Sequence, residues 1–258
     1  MNNILIKVEN LVKTFGGLVA LNDCSLEIKD KAITGIIGPN GSGKTTLFNV
    51  ITGNLKPDTG KVFYNGVEIT NEESHDLFHL GVLRTFQIAH EFSNMTVIEN
   101  LMVVPGNQKG EKLLYSLMNS QKIKKEDELI KDKAMEVLKF LKIEHLKNER
   151  AGNLSGGQKK LLELARTMMV DAKIVFLDEV GAGVNKTLLR DISDSILKLN
   201  QDKGYTFCMI EHDFNFISEL CDPVIVLAEG SVIFKGSAED VKSNEQVIES
   251  YLGKGLKK

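Results

Sequence analysis

Cysteine is scarce in this chain of 258 residues: Cys24, Cys208 and Cys221 are the whole complement. Three thiols cannot all pair, and their spacing suits no metal site, so they read as buried free thiols of a protein from a reducing compartment. Long apolar runs are also missing. None approaches the ~20 residues that a membrane-spanning helix needs. Positive charge is not in surplus either, and a net charge of −3 argues against a general nucleic-acid binder. The start, Met1–Lys7, reads as a strand-like lead-in without a secretory signal, and no internal repeat is visible. These absences predict a cytoplasmic globular protein. With 42% hydrophobic residues, the chain suffices for one large domain or for a core with a subdomain.

What is present alternates between short β-rich apolar runs and helix-period segments, which predicts an α/β core with a mainly parallel sheet. Ile33–Ile37 reads as a strand and Lys44–Ile51 as a helix. Lys61–Tyr64 and Val67–Ile69 flank Asn65-Gly66, a strong hairpin signal. From Gln87 to Asn153 strand signals vanish and lysine- and glutamate-rich helical text takes over. Ile130, Ala134, Val137, Leu138 and Leu141 share one helix face, as do Leu161, Leu164, Ala165 and Met168. Gly106–Lys125, with clustered lysines and no sustained period, reads as solvated surface. After Val170 the α/β pattern resumes: strands at Ile174–Leu177 and Thr206–Ile210, helices at Lys186–Leu199 and Phe214–Leu220, a closing hairpin at Val224–Ala228 and Ser231–Lys235, and terminal helices at Ser237–Lys242 and Val247–Leu252. His75 and His79 sit four apart on a predicted helix, a spacing that suits a metal; with no third ligand in view they read as surface residues.

The first string that carries chemistry is Gly38-Pro39-Asn40-Gly41-Ser42-Gly43-Lys44-Thr45, which fits G-x-x-x-x-G-K-[ST]. Its glycines let successive backbone N–H groups cradle phosphate oxygens, Lys44 supplies a point charge to the terminal phosphates, and the Thr45 hydroxyl is placed for Mg²⁺. Alone the pattern says nucleoside triphosphate. More than a hundred residues later comes Leu154-Ser155-Gly156-Gly157-Gln158. Between them stands Arg84-Thr85-Phe86-Gln87, and beyond them the apolar strand Ile174-Val175-Phe176-Leu177 ending in Asp178-Glu179, then Ile210-Glu211-His212-Asp213. An apolar strand holds a carboxylate rigidly at its carboxyl edge, where an α/β sheet places ligands.

In this order and spacing, the five elements resemble the ATP-binding-cassette (ABC) ATPases over nearly the whole chain, from Val8 to Gly253. The resemblance implies a P-loop ABC ATPase core with a mainly parallel sheet, an antiparallel β subdomain and an inserted helical subdomain. The core and β subdomain would take 1–86 and 171–258, and the helical, signature-bearing part 87–170. It implies ATP and Mg²⁺. ATP would be bound by Gly38 to Thr45 and Thr46, with Phe15 stacking on adenine and Val19 beside it; a core-filling role is the other reading of Phe15. Thr45, Asp178 and Gln87 would serve the metal, Gln87 also acting as a hinge. Glu179 would be the general base that polarises water and His212 the γ-phosphate sensor. Residues Ile88–Asn94 would lie near the groove that receives a permease helix. Ser155, Gly156, Gly157 and Gln158 would complete the ATP site of a second cassette, because a helix amino terminus offers free N–H groups to an anion.

Further segments resemble the branched-chain amino-acid importer group, in its first of two paired ATPases. These are Phe15–Leu21, Arg84–Gln87, Met95–Asn100, Ala182–Asn185, Ile210–Asp213 and Ser250–Gly253. Urea and short-amide importer ATPases share much of this text, and a lipopolysaccharide-export ATPase is a further alternative. A soluble ABC protein of translation or DNA repair would carry two cassettes, a long insertion or a zinc site. The resemblance implies transmembrane permease subunits, a second ATPase subunit (homo- or heterodimeric), a solute-binding protein acting indirectly, no nucleic acid, and a peripheral place on the cytoplasmic face of the inner or plasma membrane. Two positions depart from the common pattern: Val180 stands where proline is usual after the glutamate, and Asn185 where many cassettes have aspartate.

Overall fold

A computed structural model describes residues 3–85, 91–106, 108 and 120–252. Gln87 falls outside these, as do Phe86, 88–90 and most of the Gly106–Lys125 stretch. Two compact units emerge: Met1–Arg84 with Lys173–Gly181 and Leu197–Lys258, and Thr85–Ala172 with Ala182–Ile196. Residues 182–196, expected with the core, group with the helical unit. Leu188 and Val184 account for this locally, since they pack on Gly157.

The first unit opens with a long hairpin, β1 (Ile4–Phe15) and β2 (Leu18–Lys29), and continues through β3 (Ile33–Ile37) and the glycine loop into α1 (Lys44–Ile51). A second hairpin, β4 (Thr59–Tyr64) and β5 (Val67–Glu68), precedes α2 (Ser74–His79) and β6 (Val82–Arg84). At its turn Asn65 (φ 48°) and Gly66 (φ 81°) both take positive φ, as a two-residue hairpin matched to strand twist requires. The helical unit contributes α3 (Val97–Met102), α4 (Ser120–Phe140) and α5 (Gly156–Met168). Then come β7 (Ile174–Asp178), α6 (Lys186–Lys203), β8 (Thr206–Ile210), α7 (Phe214–Leu220), β9 (Val224–Ala228), β10 (Ser231–Gly236), α8 (Ala238–Ser243) and α9 (Glu245–Leu252).

Two sheets share the first unit's core. The larger has the order β10-β9-β3-β8-β7-β6 and is parallel except for β10; the smaller, β2-β1-β4-β5, is antiparallel. Every residue of β3, β7, β8 and β9 is buried. Strands covered on both faces select near-continuous apolar text, and that is why these four are legible in the sequence. Helix α1 lays Phe48 edge-on against Phe176 of β7, ring centroids 5.0 Å apart, and Leu47 and Ile51 are likewise fully buried. All three cysteines are buried and unpaired; burial pushes the Cys24 thiol up to about 12.

In the helical unit, Ala134, Val137, Leu138 and Leu141 are buried, as are Leu161, Leu164, Ala165 and Met168, so the 3.6-residue period marks real inward faces. Each such leucine contributes about 1.5–3 kcal/mol by leaving water. Residues 120–125, expected as irregular surface, form the first turns of α4: lysine and glutamate are good helix formers even where no face is buried. Helix α3 starts from a capping box in which the Thr96 hydroxyl accepts from Glu99 N–H and the Glu99 carboxylate accepts from Thr96 N–H at 2.7 Å. Buried Asn100 then ties this segment down, donating to the Phe92 and Thr96 carbonyls at 3.1 and 2.9 Å and accepting from Phe92 N–H at 2.8 Å. Among the described residues no helix is long and apolar enough to cross a membrane.

Candidate functional site

The β3–α1 junction has the form of an anion cradle. Gly43 sits at the helix N-cap with φ 99°, and no side chain caps the first N–H groups of α1. A helix start without a cap leaves several donors and a partial positive charge for an incoming anion. Glycine is obligatory there: a Cβ on Gly43 would lie 2.4 Å from the Ala20 carbonyl oxygen. That close approach also brings the β1–β2 hairpin end beside the loop, with Phe15 and Val19 each about half exposed. Phe15 is therefore not a core-filling side chain. Pro39 is half-buried, Asn40 and Gly41 are exposed, Ser42 is buried, and Thr45 and Thr46 open α1 as exposed and half-buried residues.

Lys44 is buried, its Nζ donating to the Gly38 and Pro39 carbonyls at 2.8 and 3.0 Å. Burial lowers its pKa, while the carboxylates of Glu179 and Asp178 act in the opposite sense, so all three charges belong to one locality. Asp178 ends β7 and is 2% exposed. Thr45 and Asp178 are hard oxygen donors, a set that fits Mg²⁺.

Glu179 follows β7 in the left-handed region, φ 51°, its N–H donating to the Ile210 carbonyl at 3.0 Å. His212 leaves the neighbouring β8, and its Nε2 lies 2.8 Å from Glu179 Oε1. Buried Glu211, between β8 and His212, accepts from Gly181 N–H at 2.8 Å and so pins the turn after Glu179. Desolvation raises the Glu211 pKa, and the Glu179 charge adds to that. Val180 is buried as a side chain of that turn.

In the helical unit, Ser155 is the N-cap of α5. Its hydroxyl accepts from Gln158 N–H at 3.4 Å, while Gln158 Oε1 accepts from Ser155 N–H at 2.9 Å. The two glycines behind it differ. Among the described residues a Cβ on Gly156 would meet nothing within 4 Å, whereas one on Gly157 would lie 2.2 Å from Leu188 Cδ2. Asn185 caps α6, its Oδ1 accepting from Leu188 N–H at 2.9 Å, a role that asparagine fills as well as aspartate. His75 and His79 lie exposed on α2, ring centroids 4.7 Å apart, and no cluster of three metal-ligating side chains occurs among the described residues.

Three contributors escaped the sequence reading. Arg84 Nη2 donates to Asp178 Oδ2 at 2.7 Å, and Nη1 donates to Asn49 Oδ1. Asp58 accepts from Lys13 Nζ at 2.8 Å and from both Thr14 N–H and Thr14 Oγ1–H at 2.7 Å, which steadies the strand end that carries Phe15. Glu211 is marked in the sequence only by standing beside His212. A charged residue closing an apolar strand, as Arg84 does beside β7, was the available signal.

A family model described as ABC transporter matches residues 21–182, and one described as branched-chain amino acid ATP-binding cassette transporter matches residues 231–257. A probable branched-chain amino acid transport ATP-binding protein LivG of Archaeoglobus fulgidus is 44% identical over 249 residues, covering 96% of this chain and 95% of the relative. The protein of the same description from Methanocaldococcus jannaschii is 43% identical over 253 residues, covering 96% and 97%. Among solved structures, the ADP conformation of an ATP-binding cassette of an ABC transporter superposes with a TM-score of 0.83 at 42% identity, covering 97% of this chain and 99% of that one.

Proposed function

The chain belongs to the ABC transporter family, and we propose that within it this protein is the ATP-hydrolysing subunit of an importer for branched-chain amino acids. The observation that carries the ATPase reading is the uncapped start of α1 in the same locality as Lys44, Asp178 and Glu179. The solute assignment is supported by the names of the full-length relatives and by the match at residues 231–257.

The chain's residues divide the work. The N–H groups of the glycine loop and of the first turn of α1 bind the phosphates of the substrate ATP, and Lys44 exchanges its carbonyl contacts for phosphate oxygens. Phe15 stacks on the base, worth about 0.5–1.5 kcal/mol beyond burial, and Val19 packs beside it. Thr45 and Asp178, with Gln87, would hold Mg²⁺, which when bound neutralises charge on the β- and γ-phosphates. Glu179 orients and polarises the attacking water, and His212 holds the glutamate and meets the γ-phosphate. Ser155, Gly156 and Gln158 present the amino terminus of α5 to ATP held by a second cassette, so the working unit is a dimer.

As a transporter's ATP-binding subunit, the protein works with membrane permeases. We further assign it two such subunits, a peripheral place on the cytoplasmic face of the inner or plasma membrane, and a solute-binding protein as indirect partner. Reconstitution with its permeases and partner ATPase in ATP-loaded vesicles, with the solute-binding protein added outside, tests this: ATP-dependent uptake of leucine, isoleucine or valine is expected. Uptake of urea or short amides alone would replace the solute assignment; phosphate release without any uptake would remove the importer assignment.

A further inference from the structure

We propose that Arg84 is a positioning residue that holds the two candidate Mg²⁺-donor residues, Thr45 and Asp178, at a fixed separation; this rests on the metal assignment above. The donors come from different elements, Thr45 from the first turn of α1 and Asp178 from the end of β7. Arg84 ends the adjacent strand β6, in register with Phe176. Asp178 lies two residues beyond Phe176 and therefore on the same sheet face, within reach of the guanidinium. Nη2 donates to Asp178 Oδ2 at 2.7 Å, and Nη1 donates to Asn49 Oδ1. Asn49 follows Thr45 by four residues, one turn along the same face of α1. One rigid, planar group is thus bonded both to the aspartate and to the helix that carries the threonine.

The surroundings hold this bridge in place. The guanidinium carbon lies 5.8 Å from the Phe48 ring centroid, and Phe48 packs edge-on against Phe176. The Arg84 and Asp178 side chains are 6% and 3% exposed, so water competes little for either contact. Lysine cannot take the place of arginine here, because an ammonium is a point charge without a fork that spans two acceptors. Arg84 is not itself a metal ligand; it acts through Asp178 and Asn49, as partners of metal ligands do elsewhere.

The test uses Arg84→Lys and Asn49→Ala. Binding of a fluorescent, non-hydrolysable ATP analogue is titrated with Mg²⁺ and repeated in EDTA. Both variants should need about tenfold more Mg²⁺ for half-saturation, the low end of what losing an outer-shell partner costs, with EDTA affinity near wild type. Combining them should add little, because each breaks the same bridge. Wild-type Mg²⁺ half-saturation in both variants would reduce Arg84 to a buried ion pair and overturn the proposal. Equal weakening with Mg²⁺ and in EDTA would overturn it too, by placing the defect in the phosphate loop. If wild-type binding itself were indifferent to Mg²⁺, the metal assignment would fall first and the proposal with it.

Discussion

His212 Nε2 stands 2.8 Å from Glu179 Oε1, one side chain leaving the end of β8 and the other the end of the neighbouring β7. A carboxylate facing this ring nitrogen can only accept, so a hydrogen bond to it requires the imidazole tautomer with its proton on Nε2. Glu179 is held in a left-handed conformation, φ 51°, that costs a non-glycine residue of order 1–3 kcal/mol. The N–H bond to Ile210 and the Glu211–Gly181 bond hold that turn in place.

Glu179→Gln keeps the shape and a hydrogen bond to His212 but cannot take a proton from water. Turnover should fall by about 10²–10⁴ while Mg-ATP still binds. His212→Ala should lose turnover in the same range. Steady-state phosphate release beside nucleotide binding checks both; a Glu179→Gln variant within tenfold of wild type would reject the base assignment.

Gly156 and Gly157 should separate. Gly157→Ala pushes Leu188 Cδ2 and Val184 Cγ1 aside, but the tip of a half-buried leucine yields readily and alanine gains helix propensity over glycine. Stability should therefore fall by no more than about 1 kcal/mol. A Cβ at Gly156 has no other atom of the described residues within 4 Å to displace, so the melting temperature of Gly156→Ala should stay near wild type while ATP-driven dimerisation and turnover drop. Size-exclusion profiles with ATP, in a Glu179→Gln background, distinguish this from equal loss in both variants.

Asp58 should show its role in acid. Hydrogen bonds from Lys13 and Thr14 hold its carboxyl down at about 2, below the usual value near 3.9 for the unfolded chain. The folded pKa being the lower one, the stabilisation is present above about 4 and is lost as pH falls towards 2. Asp58→Ala should lower the urea midpoint at neutral pH, and its gap to wild type should close over that acid window. It should also weaken ATP binding by loosening the strand end that carries Phe15. A gap constant with pH would point to packing alone.

Glu211 has the opposite sign. Its folded pKa is raised by burial, so the folded state favours the protonated acid and the group costs stability as pH climbs above its unfolded value. Glu211→Gln keeps an acceptor for Gly181 N–H without the charge. Its urea midpoint, followed from pH 4 to 8, should gain on wild type as pH rises and then level off; a gain falling with pH would contradict the sign.

How far the sequence reaches depends on the range of the interactions. The parallel strands β3, β7, β8 and β9 are legible because burial on both faces writes itself into contiguous residues. The twelve-residue strands β1 and β2 are not. Register shifts between Val8 and Leu11 and between Lys13 and Thr14, with positive φ at Asn10 and Asp23, break the alternation that would announce them. Helix α3 was legible only as family text, although its Thr96–Glu99 capping box is a local signal.

The phosphate loop, the strand-end carboxylates and the serine-capped start of α5 follow from the sequence by itself, since each is a local pattern whose backbone geometry neighbouring residues dictate. Tertiary structure alone decided that Arg84 bridges Asp178 and Asn49, positions 94 and 35 residues away along the chain. It also decided that Gly157 is a packing glycine while Gly156 stays open, and that Asp58 steadies Thr14. Those partners meet only once strand order and helix packing are set, and no run of neighbouring residues encodes which distant side chain will stand opposite.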